Sequence, residues 1–275
     1  MTDKKQIVKE STHWYAQDGT PVYEVPTAKG DAWRKTTLRD ARQMQLAPGV
    51  TTIIRCAAAP ALVRWQQRQA IMSALTLPRG TDEPEDRWLQ RIEIDMNMTA
   101  KDAAKEGTRI HTAIELAMCE EQFDPAYTDH VRGVVRVLGE LAGPWAEWDA
   151  EKGCAHYLGY GTKADLSNES WVIDFKGKDG DQDDLDRLRT YDSHWMQLAA
   201  TRAALEAQDG ATTAAERNYE EPRRRCAIIY VSRTHPGVCR AVEVSDEELD
   251  KGWAMFKALL LYWQAQRNYK PDWTC

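Results

Sequence analysis

The amino-acid sequence predicts a mixed α/β fold with a helical N-terminal part. Hydrophobic residues recur at helical spacing over about 50–142. Short alternating runs, separated by turn-forming residues, dominate about 143–275, together with two further helical stretches. The order of helices, strands, helix, strands and helix is typical of one α/β domain, which we expect to span 1–275.

Composition and charge narrow the class of protein. The chain has 275 residues, 43% of them hydrophobic and 29% charged, as in soluble globular proteins. It contains neither an apolar run of the roughly 18–20 residues that span a bilayer nor an apolar signal core, so we expect a cytoplasmic protein without a membrane partner. The net charge of −7 counts against a large phosphate-binding surface but permits a local basic groove.

A polar stripe marks one of the predicted helices, "MTAKDAAKEGTRIHTAIELAMCEE". Thr99 is its expected N-cap, with Asp102 three residues later. Gly107, His111 and Glu115 recur every four residues and therefore lie along one side of the helix. The stripe is either an ordinary polar face or a set of ligands that points at a site.

Two predicted strands, "YGTKADLS" and "SWVIDFKGK", carry the other candidate residues. Asp174 and Lys176 are two residues apart and share one strand face. If the strands pair as a hairpin, Asp165 approaches Asp174. Two close aspartates repel each other unless a cation is bound or one is protonated, and their oxygens suit Mg²⁺ or Mn²⁺. The ordinary alternatives are a surface salt bridge for Asp174 and Lys176 and a turn cap for Asp165.

Four short motifs occur in an order that resembles the PD-(D/E)xK nuclease superfamily, in its RecB-like branch. They are "GTRIHTAIE", "GYGTKAD", "VIDFK" and "QLAAT". The upstream segment "GVTTIIRCAAAPALVRWQQ" is similar to the region before the histidine helix in phage-type exonucleases of this branch. The resemblance covers about 50–205. It implies an α/β restriction-endonuclease-like core, in which a central mixed β-sheet is flanked by helices, with a helical N-terminal part over about 50–142 and the sheet-containing catalytic core over about 143–275.

The resemblance implies a divalent metal site. Asp165 and Asp174 bind Mg²⁺ or Mn²⁺, helped by the backbone carbonyl of Phe175. His111 and Glu115 belong to the metal shell or orient it, and a histidine ligand favours Mn²⁺. No iron–sulfur cluster is expected, because the C-terminal cysteines lack the grouping that cluster-bearing members show.

Further site residues follow from the same resemblance. Lys176 positions or activates the attacking water, and Gln197 contacts Lys176 or the DNA backbone. The sequence departs from the family at Thr201, where a tyrosine is usual, and Tyr191 is a possible substitute. The family's glutamate before the first strand has three candidates here, among which the last is weakly preferred: Glu147, Asp149 and Glu151.

DNA is the expected partner. The candidate DNA contacts are Lys178, Tyr191, Arg223, Arg224 and Arg225, although the arginines also suit a solvated loop. The resemblance implies a DNA exonuclease that acts on linear ends in phage-type recombination, repair or degradation, in the host cytoplasm and beside a single-strand annealing protein. The alternatives are a structure-specific or nicking endonuclease and a catalytically inactive DNA-binding or assembly protein. The oligomeric state is left open.

Overall fold

A five-stranded mixed sheet lies at the centre of the computed structural model, which describes residues 13–210 and 223–273. Its strands lie side by side in chain order, and only the third and fourth run parallel. They are β5 (Asp149–His156), β6 (Tyr160–Ser167), β7 (Trp171–Lys178), β8 (Arg225–Ser232) and β9 (Cys239–Val244). The predicted mixed sheet flanked by helices is therefore confirmed.

Short elements precede the sheet in the described part of the chain. They form two small antiparallel pairs of strands, β1 with β4 and β2 with β3. The elements are β1 (Trp14–Tyr15), β2 (Glu24–Pro26), β3 (Trp33–Lys35), α1 (Leu38–Met44), β4 (Ala47–Pro48) and α2 (Val50–Ile54). They are placed close to β6, because Gly49 bridges to Gly161 of that strand.

Six longer or later helices complete the described elements, with a 3₁₀ turn at Pro125–Tyr127. They are α3 (Pro60–Thr76), α4 (Glu85–Met118), α5 (Thr128–Ala142), α6 (Gln182–Asp186), α7 (Asp192–Gln208) and α8 (Asp246–Arg267). None of the helices in the described residues is long and apolar enough to cross a membrane.

The helix that carries His111 begins much earlier than expected. Thr99 lies inside α4, which starts at Glu85 and runs for 34 residues. The first part of α4 packs against α3, where Ile92 is buried and the Trp88 indole N–H donates to the Leu77 carbonyl at 2.6 Å. Packing against a neighbouring helix thus overrides the capping signal at Thr99, so the predicted helix start was wrong.

The two faces of the sheet bury separate hydrophobic cores. On one face, Val172 packs with residues of α7 and α8. On the other, Trp171, Ile173 and Phe175 pack with residues of α4 and α5. The alternation expected along β7 is confirmed. The face that carries Asp174 is covered rather than exposed, because Asp174 is only 5% accessible.

Two local predictions near the C-terminus are also confirmed. Strands β8 and β9 form the expected antiparallel hairpin. Ser245 caps α8, and its hydroxyl accepts the Glu248 N–H while the Glu248 carboxylate accepts the Ser245 N–H. The polar segment between α7 and β8 lies largely outside the described residues.

Candidate metal centre

The candidate site lies where β6 and β7 separate. The two strands pair antiparallel at Leu166–Ile173 and at the next pair toward the turn, as the predicted hairpin requires. Asp165 and Asp174 follow in the same register. In place of a continued ladder, the Asp165 carboxylate accepts the Phe175 N–H at 2.7 Å. The side chain thus satisfies a backbone donor and is held between the strands.

A break in strand alternation sets the orientation of Asp165 and of the residue opposite it, Glu151. Ala150 and Leu166 pack in the α4-side core, whereas Cys154 and Ala164 pack in the α7-side core. In a regular strand Ala150 and Cys154 would face the same side, as would Ala164 and Leu166. They face opposite cores instead, so the alternation of both strands breaks near the Glu151–Asp165 pair. Glu151 accommodates the change with a positive φ of 53°. Such a conformation in a residue other than glycine is costly and is typical of functional sites.

On the α7 side, three side chains form a closed network. The Lys176 ammonium is 2.6 Å from Asp174 Oδ2 and donates to Gln197 Oε1 at 3.2 Å. The Gln197 amide donates to Asp174 Oδ1 at 2.5 Å. Because each group contacts the other two, Lys176 is held in one position. Gln197 therefore contacts Lys176, which is one of the two alternatives that the sequence left open.

On the α4 side, His111 bridges two carboxylates. Its Nε2 is 3.1 Å from Asp165 Oδ2, and its Nδ1 is 3.8 Å from Glu151 Oε1. The other oxygen of Glu151 forms an ion pair with Lys163 of β6. The histidine predicted for the metal shell therefore lies beside Asp165.

Ligand atoms of His111, Glu151 and Asp165 all lie within 4.8 Å of one another. Glu151 Oε1 is buried and has no hydrogen-bond partner. A buried carboxylate oxygen normally has a partner, so the atom is suited to accept a cation. Two carboxylates and one imidazole are a donor set that fits Mn²⁺ and, less well, Mg²⁺. The residues present therefore fit a divalent metal ion.

The pKa values of the two aspartates of the site shift in opposite directions. Burial raises the pKa of Asp174 to about 6, and the charge of Asp165 adds to the rise while that of Lys176 opposes it. Burial also acts to raise the pKa of Asp165, but the hydrogen bond and charge of His111 outweigh it and the pKa is lowered.

The pKa values of the two basic groups of the site are both raised. Burial acts to lower the pKa of Lys176, but the adjacent Asp174 carboxylate outweighs it, and the pKa is raised. Burial likewise opposes the positive charge of His111, whose pKa is raised by its hydrogen bond to Asp165. Lys176 therefore provides a fixed positive charge beside the carboxylates.

Only some of the predicted metal ligands belong to the three-residue group of His111, Glu151 and Asp165. Glu115 lies one helical turn beyond His111 and its charge reaches that ring, but it is outside the three-residue group. Asp174, which was also predicted as a ligand, is outside the group as well, whereas Glu151 belongs to it. Its signal was weak in the sequence, because only the pairing of β5 with β6 sets it opposite Asp165. The metal-binding role of the Phe175 carbonyl stays a prediction.

The other two candidate acids lie away from this group, Asp149 at the start of β5 and Glu147 before that strand. Asp149 forms an ion pair with Lys152 at 3.3 Å. Glu147 lies with Asp149 in a separate surface depression, at the turn between β6 and β7. Only Glu151 of the three joins the group around His111.

Thr201 of α7 and Tyr191, which precedes this helix, differ in their surroundings. Thr201 is buried, and its hydroxyl is 3.3 Å from that of Thr162 on β6. Tyr191 precedes the first turn of α7 and is half exposed. Its charge contributes to the raised pKa of Lys176, which places it beside the site.

The predicted DNA contacts fall into two groups. Lys178 continues the face of Asp174 and Lys176, and burial together with the charges of Arg233 and Lys176 lowers its pKa. The three arginines lie at the other end of the sheet, because Arg225 pairs with Trp171 in the register of β8 and β7.

Each of these arginines has an acidic partner: Arg223 binds Asp250, Arg224 binds Asp209 and Arg225 binds Glu243. They are structural ion pairs in this arrangement, and the structure does not bring them to the candidate metal centre.

A cleft of about 340 Å³ adjoins His111 between α4 and the strands β7 and β8. Its walls include Gly107 and Gly177, which leave the approach to the imidazole open.

No protein-family model matches the chain, and no curated protein sequence matches it either. The functional interpretation of the site therefore depends on the residues of the site alone.

Proposed function

We propose that the protein is a divalent-metal-dependent deoxyribonuclease that hydrolyses phosphodiester bonds, with a restriction-endonuclease-like core. One observation carries the proposal. The group of His111, Glu151 and Asp165, with its unpartnered carboxylate oxygen, lies beside a lysine that Asp174 and Gln197 hold in place. The ordered motifs that resemble the PD-(D/E)xK nucleases give the same interpretation.

Asp165, Glu151 and His111 would hold the metal ion. When bound, the ion acts as a Lewis acid on the phosphate and lowers the pKa of a water molecule. Asp174 is adjacent, and its role is to fix Lys176 and complete the negative surroundings of the ion. These residues derive from α4, β5, β6 and β7, so the fold rather than any one loop sets their spacing.

Lys176 stabilises the negative charge that builds up on the phosphate and orients the attacking water. Its raised pKa keeps it charged at neutral pH, which suits electrostatic stabilisation better than proton abstraction. Gln197 is a positioning residue, because it touches Lys176 and Asp174 and fixes their separation.

Action on DNA ends is the more specific part of the proposal. About 40 Å of α4 precedes His111, and this segment with α3 forms a helical arm beside the site. Such an arm limits the approach of continuous duplex and favours an exonuclease. We place the activity in the cytoplasm, in recombination, repair or degradation of linear DNA.

A cleavage assay with four substrates tests the proposal. Linear and covalently closed circular DNA, each single- and double-stranded, are incubated with Mg²⁺, Mn²⁺ or EDTA. We expect loss of linear DNA only, with either metal and not with EDTA. Cleavage of circles would show an endonuclease instead, and intact substrates with both metals would contradict a nuclease function.

A further inference from the structure

An aromatic residue, Tyr191, stands at the start of α7 on the side of the helix that faces the candidate metal centre. Tyr191, His194 and Gln197 are three residues apart and therefore lie on successive turns of one helix face. Gln197 contacts Lys176 and Asp174. Tyr191 thus lies roughly 9 Å along the helix from these contacts.

Side-chain contacts connect Tyr191 to the sheet. Its ring rests on the ring of His194, with 3.8 Å between centroids and 37° between planes. His194 is buried, and its Nδ1 is 3.5 Å from the Tyr230 hydroxyl, which donates to the Arg189 carbonyl at 3.0 Å. Tyr230 lies opposite Lys176 in the register of β8 and β7. The Tyr191 ring is therefore held beside the strand that carries Lys176.

The Tyr191 ring is available to a ligand. It is 51% exposed although it packs on His194, and its hydroxyl makes no hydrogen bond within residues 13–210 and 223–273. Burial, with the positive charges of Lys176 and Lys178, lowers the pKa of His194 to about 4. The ring therefore rests on an imidazole that is neutral at pH 7. An exposed aromatic ring on a buried support is suited to stacking against a nucleotide base.

Lys178 provides a positive charge near this ring. It lies on the same face of β7 as Lys176, roughly 7 Å farther along the strand. Its side chain is partly buried and has no ion pair in the part of the chain that the structure describes. The adjacent carboxylate of Asp179 is bound by Arg233 at 2.8 Å. Lys178 can therefore bind an anion without breaking a contact of its own.

The ring and the charge match the two parts of a nucleotide. Aromatic rings beside cationic groups bind single strands, because bases stack on the rings while the cations contact the phosphates. A base inside a duplex is covered on both faces by its neighbours and cannot stack on Tyr191. The combination of Tyr191 and Lys178 therefore favours a nucleotide that has left the duplex.

We propose that Tyr191 and Lys178 form a subsite for one unpaired nucleotide of the substrate strand, whose base stacks on Tyr191 and whose phosphate contacts Lys178. The inference rests on the proposed function and narrows its substrate to a strand that is single next to the cut. Duplex DNA has to open at its end before it enters the metal centre. Both residues bind and orient the strand and take no part in bond cleavage.

The fluorescence of 2-aminopurine tests the stacking, since this base analogue is quenched when it stacks on an aromatic ring. Single-stranded dT 12-mers carry it at one of the three terminal positions of either end. They are titrated with the protein in Ca²⁺, which binds carboxylates with looser geometry than Mg²⁺ does, and are checked for cleavage afterwards. We expect quenching at one or more positions in the wild type.

Substitutions of Tyr191 should remove that signal. Tyr191→Ala should abolish the quenching and weaken binding about tenfold, because a base loses its stacking partner. Tyr191→Phe should retain both properties. Tyr191→Leu guards against misfolding, because leucine keeps an apolar contact with His194, and it should lose the quenching as Tyr191→Ala does.

Lys178→Gln tests the phosphate contact separately. The slope of the logarithm of the binding constant against that of the NaCl concentration should become smaller by about 0.7, because one contact with a single strand is lost. The quenching at saturating protein should equal that of the wild type.

Tyr157→Ala is the matched control. Tyr157 is 46% exposed, and its ring lies 4.2 Å from that of a buried histidine, His156, at the opposite end of β5 from Glu151. The control thus removes a similar ring away from the metal centre. It should keep the quenching, the affinity and the slope of the wild type.

The outcomes separate this inference from the proposed function. Normal cleavage by a protein whose quenching survives both Tyr191→Ala and Tyr191→Leu would overturn the subsite and leave the nuclease intact. Loss of quenching in these two variants of a protein that cuts nothing would support the subsite and overturn the nuclease. Absence of quenching at every position, or equal slopes for Lys178→Gln and Tyr157→Ala, would overturn the subsite.

Discussion

Glu151 combines three features that rarely occur together in a structural residue. It has a positive φ, a carboxylate oxygen that is buried without a hydrogen-bond partner, and a histidine and an aspartate as neighbours. The strain and the unsatisfied oxygen each cost stability of the order of 1–3 kcal/mol. A metal ion bound by this oxygen, as proposed, would offset the cost.

A pair of glutamine substitutions tests the place of Glu151 in the metal shell. Glu151→Gln should weaken Mn²⁺ binding at least tenfold, because it removes the charge of a ligand, and calorimetry measures the dissociation constant. Glu115→Gln should change it less than about threefold, since Glu115 lies outside the group. Equal effects of the two substitutions would contradict the assignment.

His156 provides a pH test that is independent of the metal. Its ring is buried and stacks on Tyr160 with 5.0 Å between centroids. Burial lowers its pKa to about 4. Since the unfolded pKa is about 6.5, the unfolded chain binds more protons between these values, and His156 destabilises the fold as the pH falls through this range.

His156→Asn should remove that part of the pH dependence, because an amide does not titrate and can still accept the Leu158 N–H. Urea unfolding at pH 7 and pH 4.5 should show a loss of unfolding free energy about 2 kcal/mol smaller than in the wild type. His235→Asn, at an exposed position, is the control and should keep the wild-type loss. An unchanged loss in His156→Asn would show that His156 is accessible to protons.

At the scale of elements, close packing of the N-terminal strands on β6 depends on Gly161. Gly161→Ala should lower the free energy of unfolding by about 2 kcal/mol, because the added methyl overlaps the buried Tyr15 side chain. Gly139→Ala in α5 is the matched control, since its nearest heavy atom would be 3.9 Å away. It should be neutral or stabilising by about 0.5–1 kcal/mol. Urea denaturation measures the free energy of unfolding of both variants. A Gly161→Ala protein as stable as the wild type would contradict the close packing of Tyr15 on Gly161.

Elements with strong local signals could be predicted from the sequence. The bounds of β6 and β7, the hairpin of β8 with β9 and the Ser245 cap of α8 depend on alternation, turns and capping within a few residues. The start of α4 could not be predicted in this way. It depends on packing against α3, whereas the residues around Thr99 offer a competing local cap.

The parts of the site that depend on local sequence pattern could also be predicted. Asp165, Asp174 and Lys176 follow from two adjacent strands, and the neighbourhood of His111 follows from a helical stripe. The position of Glu151 depends on a simultaneous change of face in β5 and β6, which breaks the alternation that a sequence pattern assumes.

At the scale of the whole molecule, the fold separates structural charge from charge that is available to a substrate. The arginines at the start of β8 are neutralised by acids of their own. Two lysines of β7, Lys176 and Lys178, lie at the candidate site instead. A chain with a net charge of −7 thus keeps local positive charge at the candidate site.

The proposed function requires that the carboxylate group and Lys176 form a metal-dependent phosphodiesterase centre. The most direct measurement is the initial rate of nucleotide release from end-labelled linear DNA with Mn²⁺, for the wild type, Asp165→Asn and the control Asp149→Asn. We predict that the wild type and Asp149→Asn release nucleotides at similar rates, and that Asp165→Asn is at least about a hundredfold slower because a metal ligand is lost. Release by Asp165→Asn at the wild-type rate, or by the wild type in EDTA, would contradict the claim.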